Sequence, residues 1–205
     1  MFIDADGPNA LVRSILNSIV IPRPIGWIST VSKNGQANLA PFSYFNVVSA
    51  QPPIVMFSCS PSSDRPQKDS ARLAKESGEF VHSFASVPQM EAIIASSTPV
   101  PFGEDEFELA GLKKAPSIKV RPSRVADSPA ALECRVEHIV DLPHSGPSPS
   151  TIVFGRVVAI HVADEFVNAQ GRFDAVAAMP LCRLGGLDYS ELGRIFQRAW
   201  PGMKI

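Results

Sequence analysis

The first third of this sequence concentrates small hydrogen-bonding side chains beside aromatic ones. The set comprises Trp27, Ser29, Thr30, Asn38, Ser43, Phe45, Asn46 and Ser58. Buried polar groups cost free energy unless they find partners, so these residues face either water or a ligand. A surface of this kind can hold a flat, amphipathic ligand through hydrogen bonds at its edge and packing on its face. Such a ligand would carry the reactive chemistry, and the protein would bind and orient it.

A second candidate site lies where Lys68, Asp69 and Ser70 open a helix. The helix is expected to run to Ser77, with Asp69 or Ser70 as its N-cap and Gly78 as its stop. The free amides of a helix start, a lysine and a hydroxyl suit a phosphate group. The alternative is that Lys68 is a solvated surface charge and that Ser70 only caps the helix. The residues alone favour this alternative.

No residue pattern predicts acid–base, nucleophilic or metal chemistry. Cys59 ends an apolar strand, where a buried cysteine is more often a small hydrophobe than a nucleophile. His138 and His161 lie on predicted strands and are interpreted as structural histidines. The three cysteines are widely spaced and the four histidines share no metal-ligand spacing, which argues against a zinc site. We therefore expect no metal and no catalytic side chain, so a hydrolase function lacks a site.

A hairpin positions most of the hydrogen-bonding residues. Ile25 to Val31 is a short apolar run that suits a buried strand. Lys33-Asn34-Gly35 supplies turn residues, because Asn and Gly tolerate positive φ. The return strand is expected over Asn38 to Asn46, and the next strand over Ile54 to Cys59.

Hydrophobic periodicity predicts the remaining elements. Helices are expected over Asn9–Ile19, over Pro88–Ser97, just before Gly111 and over Tyr189–Trp200. The first of these should lead to a first strand near Ile19–Ile21. In the second, Met90, Ile93 and Ile94 should face inward. Strands are expected over Glu79–Ala85, Leu132–Asp141 with Val140 on the apolar face, and Thr151–Val162 with Gly155 as a bulge or a point of close approach. The acidic run Glu104-Asp105-Glu106 is expected to be a solvated face.

Roughly seven strands with a few short helices predict a mainly β fold, an antiparallel barrel with peripheral α-helices. The length of 205 residues fits one domain over residues 1–205. A net charge of −1 provides no basic field, so no nucleic-acid partner is expected. No apolar run reaches membrane-spanning length. The N-terminus lacks signal-peptide features and the cysteines are odd in number, which favours a cytoplasmic protein.

Several motifs, taken together, resemble the flavin reductase-like, FMN-binding split-barrel family. They are Arg23–Thr30, Asn38–Asn46, Pro52–Pro53, Lys68–Ser70, Gly78–Phe80, Glu106–Leu112, Leu132–Cys134, Gly155–Val158, Arg183–Gly186 and Tyr189. They occur in order over most of the chain, so together they are far more specific than any one alone. The resemblance implies a homodimeric, six-stranded Greek-key split β-barrel that binds FMN near the subunit interface.

The resemblance also assigns residues to the cofactor. Trp27, Ser29 and Thr30 would line the flavin and its ribityl phosphate; Ala40, Ser43, Phe45 and Asn46 would border the isoalloxazine; Ser58, Lys68, Asp69 and Ser70 would lie near the phosphate. This raises the phosphate interpretation of Lys68 above the surface-charge one. Arg183 and Tyr189 would brace the dimer or the pocket wall.

Two segments depart from the pattern of the family it resembles. The family commonly has Arg-Asn-Ile where this chain has Arg72 followed by Leu73-Ala74, and Val-Val-Asn where it has Val81-His82-Ser83. Loss of both asparagines is expected to weaken a hydrogen-bond network near the cofactor or to alter the partner surface.

The implied activity is a flavin reductase in which NADH or NADPH, as cosubstrate, gives hydride to FMN. Proximity and orientation would supply most of the catalysis, which agrees with the lack of a catalytic constellation. Reduced flavin would pass to a flavin-dependent oxygenase or another acceptor. The alternative is a non-enzymatic FMN-binding electron carrier or flavin store. A hydrolase or oxidase with another ligand would require a titratable cluster that the sequence does not show.

Overall fold

The computed structural model describes residues 2–6, 10–61, 68–143, 149–199 and 201–202. In this part of the chain the helices are α1 (Ala10–Ile19), α2 (Asp69–Ser77), α3 (Met90–Ala95) and α4 (Glu106–Leu109). The strands are β1 (Arg23–Pro24), β2 (Gly26–Val31), β3 (Ala37–Phe42), β4 (Phe45–Ala50), β5 (Pro53–Cys59), β6 (Glu79–Phe84), β7 (Lys114–Ala115), β8 (Arg124–Val125), β9 (Ala130–Leu142), β10 (Ser150–Val162), β11 (Cys182–Arg183) and β12 (Tyr189–Ser190). Among the described helices, none is both long and apolar enough to cross a bilayer.

One large antiparallel sheet, with strand order β3-β2-β6-β9-β10-β5-β4, dominates the fold. Its edge strands β3 and β4 are consecutive in sequence and are joined only by Ser43 and Tyr44. Strands lie about 4.8 Å apart, so a link this short cannot cross a flat sheet, and the sheet must curl until its edges meet. The amide of Ser58, on β5, donates to the carbonyl of Tyr44 at this corner at 2.8 Å. The predicted mainly β, antiparallel barrel is confirmed.

The sheet contains seven strands, whereas the resemblance implied six. The difference arises because the predicted return strand Asn38–Asn46 is divided at the corner formed by Ser43 and Tyr44. The predicted turn before it is confirmed, with Gly35 at φ +85° and its amide donating to the Ser32 carbonyl at 3.1 Å.

The barrel interior is apolar and tightly packed around Phe57 and Phe80, whose rings meet edge to face at 5.1 Å between centroids. Gly155 of β10 lies against this core. A Cβ atom at Gly155 would stand 2.3 Å from the Phe80 ring, and the β9–β10 register shifts beside it. The close approach predicted as one alternative at Gly155 is confirmed, whereas the extra residue of the neighbouring bulge is on β9 and not at Gly155.

A second core lies on the other side of the sheet, beneath α3 and α4. It includes Trp27, Leu39, Ile93 and Phe107, all fully buried. The two cores bury β2 on both faces, which explains its almost continuous run of buried residues.

A bulge in β9 corrects the predicted alternation of that strand. Val136 and His138 pair with adjacent residues of β10, so Glu137 is an extra residue without a partner in the register. One extra residue sends every later side chain to the opposite face of the sheet. Val140, which was predicted to face inward, is accordingly 42% exposed.

The helix predictions are partly right. Gly78 ends α2 in the left-handed conformation at φ +72°, as predicted, but the N-cap is Lys68 and not Asp69 or Ser70. The predicted helix over Pro88–Ser97 opens with a 3₁₀ turn at Val87–Gln89 before α3. Ile93 is buried as predicted, whereas Ile94 is 38% exposed.

Two further predictions are wrong. The first strand does not lie near Ile19–Ile21, because α1 extends to Ile19 and β1 begins at Arg23. The predicted terminal helix is absent over residues 189–199, and Trp200, its last residue, lies outside the described residues; Tyr189 and Ser190 form β12, and residues 191–199 have no regular structure. Ile195 and Phe196 stay exposed there, and a short helix without a surface to pack against is marginal in water.

Candidate functional site

A cleft of about 540 Å³ opens at the seam where the edges of the large sheet meet. Its lining, which we call the basic cleft, consists of Arg13, Ser14, Asn17, Arg23, Pro41, Phe42, Ser43, Tyr44, Ser58, Ser60, Lys68, Arg183, Leu184 and Gly186. The volume falls in the range of small-molecule and cofactor sites.

The lining carries four cations and no carboxylate, in a protein whose net charge is −1. The cations are Arg13, Arg23, Lys68 and Arg183, and none of them forms an ion pair with a described carboxylate. Cations that converge on a cleft without counter-ions raise the local concentration of anions. The basic cleft is therefore suited to an anionic ligand.

Arg23 ties one wall of the cleft together. Its guanidinium donates to the carbonyls of Asn17 at 2.5 Å and Val20 at 2.7 Å, at the end of α1, and to the carbonyl of Leu184 at 2.7 Å. A cation at a helix C-terminus satisfies free carbonyls and opposes the negative end of the helix dipole. The Tyr44 hydroxyl donates to Asn17 Oδ1 at 2.7 Å, which joins α1 to the barrel corner.

Arg183 lies directly opposite Arg23, because these residues are register partners in the β1–β11 pair. Like charges at such a position are destabilising by themselves. Arg183 is held in place by donating to the carbonyl of Gly186 and by stacking 4.3 Å from the centre of the Tyr189 ring. Two arginines fixed side by side, with no described carboxylate between them, indicate a place for an anion.

The opposite wall of the cleft is rich in hydroxyl groups. Ser43 lies at the barrel corner, Ser58 near the end of β5, Ser60 just after it, and Lys68 at the N-cap of α2. The predicted contacts Ser43, Ser58 and Lys68 therefore come together in one cleft.

A smaller polar recess of about 60 Å³ adjoins the basic cleft and shares Phe42 and Lys68 with it. Its lining includes Ala40, Asp69 and Ser70, three more of the predicted site residues. The basic cleft and this recess together thus contain six of the eleven predicted residues, namely Ala40, Ser43, Ser58, Lys68, Asp69 and Ser70.

A buried hydrogen-bond network underlies this recess. Glu106 accepts from Asn38 Nδ2 at 2.8 Å and from the amide of Leu39 at 2.9 Å. Asn38 Oδ1 in turn accepts from the hydroxyls of Ser70 at 2.7 Å and Thr30 at 3.3 Å. Burial raises the pKa of Glu106 above its ordinary value. The prediction that the whole acidic run is solvated is wrong for Glu106, because its carboxylate binds a strand edge.

Trp27, Ser29 and Thr30 lie inside the protein and do not line the cleft. Trp27 Nε1 donates to Ser96 Oγ at 2.9 Å, and the Ser29 hydroxyl donates to the carbonyl of Ser123. Their side chains are committed to internal partners, so their predicted contact with a flavin stays a prediction without support from this geometry.

Phe45 and Asn46 begin β4, next to the cleft corner. The Phe45 ring covers Gly26, where an added Cβ would stand 2.5 Å away, and it stacks on His82 at 4.3 Å between centroids. Asn46 is exposed and its Oδ1 accepts from the amide of Val47 at 2.8 Å. Neither residue lines the cleft, and their border with a flavin also stays a prediction.

The two departures from the family pattern are occupied by well-packed residues. Leu73 is buried on the inner face of α2, and the Ser83 hydroxyl accepts from the amide of Val125 at 3.0 Å. His82, next to Ser83, is buried, and burial lowers its pKa to about 3. Its Nδ1 atom has no hydrogen-bond partner among the described residues.

Of the residues interpreted as structural, Cys59 is buried and His161 is paired inside the protein, whereas His138 is exposed. Burial raises the pKa of Cys59 to about 12, and His161 Nε2 lies 2.5 Å from the buried carboxylate of Glu133. Burial alone would raise the pKa of Glu133, but hydrogen bonds from His161 and two backbone amides lower it overall. His138 is exposed, beyond the bulge, and not packed on an apolar face.

Sequence reasoning missed the α1 wall of the cleft. Arg13, Ser14 and Asn17 share one face of α1, at a spacing of one helical turn, and this face lines the cleft. The signal was available, since the helix was predicted as amphipathic. The prediction depends only on the apolar face of this helix, and it gives Arg23 no role beyond its motif.

The chain matches the flavin reductase like domain over residues 18–177. It belongs to the flavin reductase-like family. The match includes β1 to β10. It also includes every residue that lines the basic cleft, except those on α1 and those around Arg183.

Relatives of this family member support the assignment over nearly the full chain. An uncharacterized protein of Halalkalibacterium halodurans is 39% identical, over 95% of each chain. The crystal structure of nitrilotriacetate monooxygenase component B from Bacillus cereus is 32% identical, with a TM-score of 0.90 over 97% of this chain and 98% of that one. A Shewanella frigidimarina protein with a split barrel domain superposes with a TM-score of 0.83 over 98% and 99%, at 19% identity, and shows the split-barrel fold.

Proposed function

We propose that this flavin reductase-like protein binds FMN in the basic cleft and reduces it with NADH or NADPH. The observation that carries the proposal is the lining itself, four cations and several hydroxyls without a carboxylate at the barrel seam. A phosphate monoester carries a charge between about −1.5 and −2 at neutral pH, and a ribityl chain presents hydroxyls. The donors present in the cleft match both parts of FMN.

The phosphate is proposed to lie at the hydroxyl wall. Lys68, the hydroxyls of Ser58 and Ser60, and the free amides at the start of α2 would hold it. Ser70 would contribute its amide and not its hydroxyl, because that hydroxyl donates to Asn38.

Bound FMN would supply a hydride acceptor for the nicotinamide, and the accompanying proton would come from solvent. The chain would bind and orient the reactants, and no described side chain is required as an acid or base. Ser43 and Tyr44, fixed at the barrel corner, would hold the polar edge of the ligand. The Bacillus cereus relative is component B of a monooxygenase. By analogy, we propose that reduced flavin passes to a flavin-dependent oxygenase or a similar acceptor.

We further propose a homodimer, as expected from the family. Leu16 and Ile19 of α1, and Val47 and Val48 of the edge strand β4, are all exposed in the single chain. Apolar side chains clustered on secondary-structure faces mark association sites more often than isolated ones do. Sedimentation velocity of the purified protein tests this, and a monomer at micromolar concentration would contradict it.

Binding of FMN and riboflavin to matched lysine variants tests the site. Riboflavin lacks the phosphate, so Lys68→Gln should weaken FMN by about tenfold and riboflavin by less than about twofold. Lys33→Gln removes an exposed lysine of the β2–β3 turn and serves as the control. An equal loss of affinity for FMN and riboflavin, or no loss for either, would contradict the phosphate assignment.

Anaerobic mixing of the FMN-loaded protein with NADH and NADPH tests the activity. Bleaching of the flavin absorption by either nicotinamide supports the reductase. A stable flavin band that neither nicotinamide bleaches would favour the electron carrier or flavin store instead. A protein that retains no flavin would refute the proposal and leave only the family and the fold.

A further inference from the structure

We infer that the basic cleft holds two anion subsites, and that its arginine wall takes the phosphates of the nicotinamide dinucleotide. This inference rests on the proposed function for its cosubstrate, but the subsite itself can be tested without flavin. The arginine wall is defined here as Arg13, Arg23 and Arg183, which face the hydroxyl wall around Lys68 across one cleft.

The two walls belong to different parts of the fold. Lys68 and Ser58 stand on α2 and β5, next to the barrel. Arg13 stands on α1, while Arg23 and Arg183 stand on β1 and β11, which form a small sheet outside the barrel. The contacts that hold Arg23 and Arg183 do not involve Lys68 or Ser58, so the two walls can be changed separately by mutation.

Internal contacts fix two of the three residues of the arginine wall, Arg23 and Arg183. Arg23 is 8% exposed and already donates three hydrogen bonds to carbonyls, so it supplies charge and fixes the wall. Its Nε atom is buried and has no partner among the described residues. Arg183 is pinned by Gly186 and Tyr189. A guanidinium has five donors, so most of those on Arg183 remain for a ligand.

The composition of the two walls indicates what each can hold. Lysine with hydroxyls and helix amides suits a single terminal phosphate, as proposed for FMN. Guanidinium groups bind phosphate oxygens through paired donors, so the free donors of Arg183 and Arg13, with the charge of Arg23 behind them, suit a linked diphosphate. Arg13, on the exposed side of α1, extends the positive field toward solvent, where the rest of a dinucleotide would lie.

Charge balance leads to the same assignment. A flavin phosphate with a charge of about −2 leaves roughly two of the four cations unneutralised. A dinucleotide diphosphate adds about two negative charges, which would complete the balance. Carbonyls at the end of α1 already compensate Arg23, so Arg13 and Arg183 would be the cations that match the second anion.

Binding of ADP-ribose, measured by calorimetry, is the direct probe of this subsite. ADP-ribose carries the diphosphate but lacks the nicotinamide, so its binding does not require flavin chemistry. We expect Arg13→Gln/Arg183→Gln to weaken ADP-ribose at least about tenfold, and each single change about threefold to fivefold. Arg172→Gln, which removes an exposed arginine outside the cleft, should leave the affinity unchanged.

The same variants are then tested for FMN affinity and for anaerobic bleaching by NADH. FMN affinity should fall by a smaller factor than ADP-ribose affinity, and the NADH concentration for half-maximal bleaching should rise with the ADP-ribose dissociation constant.

Failure of the inference is distinguishable from failure of the proposed function. Weakened FMN binding with unchanged ADP-ribose binding would assign the arginines to the flavin phosphate and overturn the inference, while FMN binding stands. Arginine-dependent ADP-ribose binding by a protein that takes no FMN would support the subsite and refute the reductase. No ADP-ribose binding by the native protein would overturn the inference.

Discussion

His82→Phe is predicted to remove an acid sensitivity that is built into the barrel. His82 is buried beside the Phe45 ring, and its pKa falls to about 3 from an ordinary value of 6.5 because burial disfavours the charged imidazole. The unfolded chain therefore binds a proton below 6.5, while the folded chain stays neutral down to about 3. More protons on the unfolded chain mean that stability falls as the pH falls through this window.

The size of the effect follows from the two pKa values. Each pH unit within the window costs about 1.4 kcal/mol, so at about pH 5 the histidine should have removed about 2 kcal/mol of the stability present at about pH 8. Phenylalanine keeps the ring stacked on Phe45 and removes the unpartnered Nδ1. At about pH 8 the variant should therefore equal or exceed the native stability by about 1 kcal/mol.

Urea denaturation of both proteins between about pH 8 and pH 5 measures this prediction. The difference between native protein and His82→Phe should widen by about 2 kcal/mol toward acid. His138→Gln, which removes an exposed imidazole, controls for the loss of a histidine in general. Parallel stability curves for the native protein and His82→Phe would show that His82 is hydrated or paired, and would refute the argument.

Three further predictions concern the core and its buried polar groups. Gly155→Ala should destabilise the protein by about 1–3 kcal/mol, because its Cβ would collide with the Phe80 ring, and a lower thermal midpoint would show it. Glu133→Gln should cost about 2–3 kcal/mol in urea denaturation at neutral pH, since one amide oxygen cannot serve His161 and two backbone amides. This contribution of Glu133, whose pKa is lowered, should fade as the pH falls below its ordinary value of 4.5. Cys59, with its pKa raised to about 12, should resist iodoacetamide until the protein unfolds, and rapid labelling of the native peptide would contradict that.

Local patterns in the sequence predicted most of the barrel. The apolar run before Val31, the turn at Gly35 and the stop at Gly78 depend on residues that are close in the chain. Such features are decided by side-chain periodicity and by the φ angles that glycine allows. They were predicted correctly because no distant contact competes with them.

Features that depend on distant contacts were not predictable in the same way. Glu106 stands in an acidic run that is typical of a surface, yet it is buried by the amide of Leu39, which lies 67 positions earlier. The bulge at Glu137 lies beside Gly155 of the next strand, where that glycine packs against the Phe80 ring. A single sequence contains no local mark of either contact.

The candidate site also divides into residues whose position the sequence predicted and residues whose position depends on the fold. Ser43, Ser58 and Lys68 were placed near a ligand through motifs, and the structure brings them together. Trp27 and Ser29 belong to the motif Arg23–Thr30 but point into the second core, where their polar atoms bond Ser96 and Ser123. A motif identifies a segment, whereas alternation along β2 decides which of its side chains reach the cleft, and β2 is buried on both faces.

The position of the cleft follows from the shortest connection in the barrel. Because only Ser43 and Tyr44 join β3 to β4, the two edges of the sheet meet there without a continuous ladder, and both corner residues line the opening. The Tyr44 hydroxyl then holds α1 across this opening through the Asn17 side chain, and Arg23 holds the same end of α1 through the Asn17 carbonyl. The same corner that closes the barrel therefore creates the cleft and determines that an arginine-bearing helix forms its outer wall.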